Sequence, residues 1–298
     1  MESRAGSSVE SGLSARSPAE SSMKLPRRKL VIENRSALFD MDWSALWEYR
    51  ELLYILVWRD IKVRYKQTAI GVSWVVLQPL VTMLIFTAIF GYLAKVPSDG
   101  VWYPVFSLTA LLPWTYFAQA IIRSGESVVG NSNLVSKIYF PRLMLPLAMI
   151  VTPLVDLALS MVLLFGLLIY AGIPLTWRVS TLPAFILLAM LTAMGLSLFT
   201  SAMNVKYRDV RHAIPFVIQI WMFVSPIVYP ASLVPEQWRL LYSLNPMVGV
   251  IEGFRWALLG QTAPDPVVMA ESVVVLFVVL IAGAVYFRQV ERQFADVI

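Results

Sequence analysis

Side chains that carry covalent chemistry are nearly absent from this chain. Its 298 residues include one histidine, His212, and no cysteine. That excludes a His-pair or thiolate metal site and a Ser-His-Asp apparatus of the usual kind. No G-x-x-x-x-G-K-[ST] run occurs, so the chain does not hold ATP in a P-loop. Asp156 is the ionisable group that falls well inside an apolar run. An ionised carboxylate there costs roughly 2.5–3.5 kcal/mol on insertion scales, so it is expected to face a partner or water. We read it as structural, hydrogen-bonded within a helix bundle, and Glu271, near the end of a run, as interfacial. Proton-coupled carriers show several such groups, or paired broken helices in two halves, and neither pattern occurs here. Aromatics remain. Trp74, Phe86 and Trp221 lie deep in apolar runs and Tyr229 ends one. Ring faces stack on the C–H faces of sugars without demanding a fixed sequence, which suits a passage for a sliding polymer. Core packing and an interfacial belt account for the same residues, and the alternatives stay open.

The elements that position these groups follow from composition. Hydrophobic residues make up 58% of the chain and charged residues 14%, against about 25% in soluble domains. Mean hydropathy is +0.69. Between Lys66 and Arg288, long uncharged runs alternate with short knots of Arg, Lys or Pro. A hydrocarbon core of about 30 Å needs roughly 20 apolar residues of helix, whose backbone groups must all be bonded internally. The chain is therefore expected to be an all-α membrane protein with spans near 69–94, 101–122, 144–170, 180–203, 213–229 and 267–287. Residues 1–40 begin with a serine-rich stretch lacking aromatics and are expected to form a disordered cytoplasmic tail, leaving 41–298 as the membrane domain. Lys24, Arg27, Arg28 and Lys29 precede no apolar h-region, so no secretory signal is read.

Three segments are too polar or too short to span. Residues 43–66 mix tryptophans and tyrosines with eight charges and predict an amphipathic helix in the membrane interface. Residues 123–142 predict a short helix along the membrane, bounded by Gly125 and Pro141, a docking knob for a cytoplasmic partner. Residues 230–266 carry five prolines around an apolar stretch at 247–259. They predict two short re-entrant helices dipping into the outer leaflet, with Pro235 and Pro246 at their starts. Twenty Lys and Arg fall on one side of this arrangement and four on the other, so both termini are expected to be cytoplasmic. The net charge of +5 does not point to nucleic acid.

At this level of detail the residues match a family. Arg59-Asp60, Lys62, Arg64-Tyr65-Lys66-Gln67, Gly71, Trp74 and Gln78-Pro79 resemble the approach to the first span of the ABC-2 type permeases that export polysaccharides. Asn131, Leu134-Val135, Lys137 and Phe140-Pro141 are similar to their cytoplasmic coupling helix. Asn204, Tyr207-Arg208-Asp209, Ser225-Pro226, Tyr229 and Leu244-Asn245-Pro246 follow in the family's order. The resemblance spans about 40–290. It implies a half-transporter in a bacterial inner membrane, paired with a second copy of itself and two ATP-binding subunits. ATP and Mg would be bound by those partners, with no cofactor in this chain. The cargo implied is a polyprenyl-pyrophosphate-linked polysaccharide, O-antigen first among capsule and teichoic acid. Carried over by position, Asn131, Leu134, Lys137 and Tyr139 would meet the ATPase. Arg59, Arg64 and Lys66, beside Asp60, would hold lipid pyrophosphate or anchor the interface. Trp74, Phe86, Trp221 and Tyr229 would line the channel, and Pro235, Trp238, Asn245 and Pro246 would belong to a periplasmic gate. A multispan polyprenyl-linked glycosyl- or acyltransferase is the alternative. It needs a carboxylate pair, a histidine or a metal cluster at the membrane face.

Overall fold

The computed structural model describes residues 43–66, 73–292 and 294; the tail expected over 1–40 lies outside them. Helices α1 (Trp43–Glu48) and α2 (Arg50–Lys66) come first. Helix α3 (Ser73–Phe86) continues into a π-helical turn over Thr87–Leu93. Then follow α4 (Tyr103–Gly130), α5 (Ser132–Lys137), α6 (Met144–Tyr170), α7 (Leu182–Lys206), α8 (Val210–Val224), α9 (Glu236–Ser243), α10 (Pro246–Leu259) and α11 (Pro266–Glu291). No strand occurs among the described residues. Five helical segments are long and apolar enough to cross a membrane: Ser73–Leu93, α4, α6, Trp177–Lys206 and α11.

The sixth expected span, 213–229, is shorter as a helix. Its 15 residues in α8 cover about 22 Å at 1.5 Å each, less than the hydrocarbon thickness. The reason is local. A proline pushes the residue before it out of the helical region, and Ser225, ahead of Pro226, is extended at ψ 152°. The chain continues to Pro230 without regular helix, and such backbone is tolerated at membrane depth only where protein satisfies it. Here it is satisfied: Tyr103 Oη donates to the Val228 carbonyl at 2.7 Å, and Arg255 Nη2 to that of Ile227 at 3.1 Å.

The segment expected to hold one short helix over 123–142 also differs. Helix α4 runs on through Gly130, and the short helix is only Ser132–Lys137. Gly125 is not a boundary. It sits inside α4, where a Cβ would meet Ile214 Cδ1 at 2.9 Å, so its missing side chain brings α8 against α4. Among the five spanning segments α4 is the most buried, and it packs against α6, α7, α8, α10 and α3. Helices α7 and α11 approach closest. A Cβ on Gly195 would lie 2.8 Å from the Leu280 backbone, and one on Gly283 would run into the Gly195 carbonyl. Small residues allow such contact where lipid supplies no hydrophobic drive between helices.

The bundle thus has two ends. At one, α2 packs on α6, and Leu56, Val135, Phe140, Leu145, Ala202 and Phe287 form a secondary core. The 43–66 helix is broken at Tyr49, and its apolar residues do not make one stripe. Leu52, Leu53, Leu56 and Val57 turn inward while Trp47, Tyr54, Ile55 and Trp58 stay exposed. At the other end, α10 is buried against α4, α7 and α11, whereas α9 is largely exposed.

Candidate functional site

At the α2 end, Arg64 leaves the surface. Its Nη1 pairs with Asp156 Oδ2 of α6, and its Nη2 donates to Gln119 Oε1 of α4 at 2.8 Å. Tyr65 Oη donates to the other Asp156 oxygen. Burial first, then this bond, pushes the Tyr65 phenol up to about 12, so it stays a neutral donor at ordinary pH. Asp156 therefore has the partner its position demanded, and that partner is Arg64. The cluster borders a cavity of about 70 Å³ lined also by Trp74, Gln78 and Ser160. A residue expected in the channel and one expected at a lipid pyrophosphate thus share one cavity. Trp74 is 55% exposed on its rim.

Arg59 reaches across to the turn between α4 and α5. Its Nη1 donates to Asn131 Oδ1 at 3.3 Å, its Nε to Asp60 at 3.0 Å, and Asn131 Nδ2 donates back to Ser127 O at 2.8 Å. Leu134, Val135 and Phe140 root α5 in the secondary core. Lys137, Ile138 and Tyr139 project, Tyr139 being 80% exposed. Lys66 ends α2 in an exposed position. The structure joins Arg59 to Asn131 and leaves Lys66 apart from the Arg64 cluster.

The remaining aromatics separate along α4. Trp221 packs edge-on against Phe117 at 5.5 Å and Trp114 at 6.5 Å. Phe86 is buried and meets Phe90 edge-on at 5.6 Å. Tyr229 lies at the α10 end, where its hydroxyl accepts from Tyr242 at 3.3 Å.

At the α10 end, Pro235 precedes α9 and Trp238 is 54% exposed on it. Asn245 caps α10: its Oδ1 accepts from the Met247 amide at 3.1 Å, and Pro246, whose missing N–H needs no partner there, takes the first helical position. Asn245 Nδ2 also donates to Ser225 Oγ at 2.9 Å, tying the start of α10 to the broken end of α8. Sequence reasoning missed Arg255. It is 3% exposed, lies 3.6 Å from the Phe106 ring centroid, and donates to Ile227 O at 3.1 Å and Tyr229 O at 3.5 Å. The signal was present: Glu252 and Arg255, one turn apart, are the charged residues of an otherwise apolar short helix. Burial, the largest influence, raises the Glu252 carboxyl above its usual range. Among the described residues no group of three or more His, Cys, Asp or Glu is placed to hold a metal.

The family model of the ABC-2 type transporter matches residues 51–259, from α2 to the end of α10. The O-antigen export system permease protein RfbA of Myxococcus xanthus is 29% identical over 255 residues, covering 84% of this chain and 96% of that protein. Its Klebsiella pneumoniae namesake is 27% identical, covering 83% and 95%. The polysialic acid transport protein KpsM of Escherichia coli is 24% identical over 248 residues, covering 78% and 91%. A multi-pass helical bundle without a nucleotide loop, matched by that model from α2 through its buried α10, belongs to the ABC-2 type transporter family.

Proposed function

We propose that this chain is the membrane-spanning permease of an ATP-driven exporter that moves lipid-linked polysaccharide, O-antigen first among the candidates, from the cytoplasm to the periplasm. The observation that carries the reading is full-length similarity, 96% of the relative's length, to a permease named for O-antigen export. In this reading two copies form the passage in a bacterial inner membrane, with both termini cytoplasmic, and two separate ATP-binding subunits supply the energy. The α2 end faces them, and the exposed Lys137, Ile138 and Tyr139 are the knob they grip. The bond from Arg59 to Asn131 and the pair of Arg64 with Asp156 carry that motion into α4 and α6. Trp74 and Trp221 offer ring faces to a moving glycan, with Phe86 behind them and Tyr229 at the outer end. Residues 235–259, with Trp238 exposed and Asn245 fixing the hinge to α8, close the outside.

The test is export in cells lacking the gene, with and without this chain, combined with purification. The permease alone is expected to show no ATP hydrolysis. Its complex with an ATP-binding subunit is expected to hydrolyse ATP and to contain two copies of each. Hydrolysis by the isolated permease, or unchanged surface polysaccharide without it, overturns the reading.

A further inference from the structure

Two ties hold α11 near its opposite ends, and neither enters the function proposed above. At the α2 end, Arg142, in the turn that joins α5 to α6, sends its Nη1 to the carbonyl of Glu291 at 2.6 Å. Glu291 is the last residue of α11, so this carbonyl is one of the four that a helix leaves without an internal partner, and a cation there also meets the negative end of the helix dipole. The guanidinium lies 5.7 Å from the Phe294 ring centroid, and Phe294 is fully buried edge-on against Phe287 at 5.5 Å. Phe140, two residues before Arg142, shares that core with both rings. The turn behind the exposed knob and the end of α11 therefore form one block. At the α10 end, Ser243 closes α9 and is fully buried. Its hydroxyl donates to Glu271 Oε2 of α11. The Leu240 carbonyl of its own helix, at 2.8 Å, is a second acceptor for the same proton. A hydroxyl has one proton to give, so α9 can let go of Glu271 and still keep Ser243 bonded. The tie is a latch.

From Glu271 to Glu291 the helix covers about 30 Å at 1.5 Å per residue, the thickness of a hydrocarbon core. One helix thus joins the turn behind the knob to α9 across the full depth of a membrane. Helices α4 and α6, which take up Arg59 and Arg64, reach α9 through an intermediary, since α9 packs chiefly on α11 and α10. Helices shift by about 1–2 Å in switching proteins, and a hydrogen bond stretched by that much is lost. We propose that Arg142 is a positioning residue of the export cycle. It ties the knob to α11, and through α11 a displacement made at the knob releases the bond between Ser243 and Glu271 that holds α9 down. This rests on the function proposed above, in which ATP-binding subunits grip the knob. Glu271, in the second turn of α11, is left near the helix end, where water can replace the lost hydroxyl. Release is therefore reversible, and α9 can settle back when the knob returns.

The chain has no cysteine, so Ser243→Cys supplies a single reporter thiol. A thiol is still a weak donor, and this one is covered while α9 lies on α11. Its rate of modification by a water-soluble maleimide is followed in the purified permease–ATPase complex in lipid nanodiscs, without nucleotide and during ATP hydrolysis. Turnover should raise the rate about tenfold, the scale of one good hydrogen bond. Arg142→Gln should hold the rate at its nucleotide-free value while recovery of the complex and ATP hydrolysis persist. Arg142→Lys keeps a cation and a donor for the Glu291 carbonyl, so it should restore part of the rise. Phe294→Leu keeps the core apolar and removes the ring under the guanidinium, so it should blunt the rise and serves where Arg142→Gln gives too little protein. Glu271→Leu should label fast in every state, with Arg142→Gln or without it, because the latch lies beyond Arg142. An unchanged rise in Arg142→Gln, a rise lost only together with ATP hydrolysis, or a double variant as slow as Arg142→Gln overturns the proposal. A complex that supports export in cells and hydrolyses ATP, yet labels at one rate throughout, overturns the latch and leaves the function standing. Lack of any ATP-binding partner overturns the function, and this proposal with it.

Discussion

Each end of the bundle removes an arginine from water, and the two solutions differ. Arg64 is neutralised by a side chain on another helix, Asp156, with Gln119 and Tyr65 completing the set. Arg255 bonds the carbonyls of an irregular segment and lies against a ring. A side-chain pair between two elements can part and re-form as they move. A guanidinium whose acceptors are backbone fixes the path of that backbone. The α2 end is therefore built to yield and the α10 end to hold its shape, with the exposed α9 as the movable piece there.

The largest effect is expected at Arg255. Arg255→Ala strips two carbonyls of their donor at about 1–3 kcal/mol each and removes the contact with Phe106, so the yield of folded, monodisperse permease should collapse. Arg255→Lys should not rescue it, because a compact ammonium lacks the planar spread that reaches both carbonyls while the guanidinium lies flat against Phe106. Full yield from either variant would mean that the 225–230 segment is held by something else. Asp156→Ala comes next. It leaves Arg64 uncompensated, but that side chain is 20% exposed and can turn toward water, so a stability loss of about 1–3 kcal/mol is expected, below the 3–5 typical of fully buried pairs. The reversed pair, Arg64→Asp with Asp156→Arg, should recover part of the thermal midpoint. A reversed pair no better than either single variant would erase the contrast between the ends.

The third effect falls on export alone. Ile138→Asp with Tyr139→Asp, both exposed on the knob, should lower export or recovery of the ATPase complex about tenfold, as loss of one strong interface contact does, at unchanged membrane levels of the permease. Export at the wild-type rate would place ATPase docking elsewhere. The smallest effects separate the aromatics. Trp221→Ala removes two edge-to-face contacts, each about 0.5–1.5 kcal/mol, and should lower the thermal midpoint. Trp74→Ala, at an exposed position, should leave the midpoint in place and slow export. Equal export by both variants would return these rings to packing.

Where the sequence was legible, an uninterrupted apolar run supplied the limits. The span expected at 144–170 is helix Met144–Tyr170. The starts of α9 and α10 were readable from Pro235 and from Asn245-Pro246, because capping chemistry is local. Legibility failed where a tertiary contact decided the outcome. Gly125 reads as a stop and serves as a packing notch, and α4 overruns it by five residues. Asp156 announced that it needed a partner. Its partner lies 92 residues away on a helix whose docking no local pattern records. Arg255, inside the short helix expected over 247–259, counted only among the four cations of its side because its acceptors are carbonyls, which leave no mark in a sequence.

The seam between α7 and α11 has a mechanical consequence. Where Gly195 and Gly283 meet, backbone rests on backbone, with no side chains between to compress or swivel. The two helices are thereby locked more closely than a pair spaced by side chains, as a unit about 39 Å long along the 26 residues of α11, and should move together. Helix α11, only 17% buried, is tied to the bundle chiefly through this seam, and among the other spans the most thinly packed is the α3 stretch, 22% buried. A single methyl group at position 283 would pry the seam open along its length.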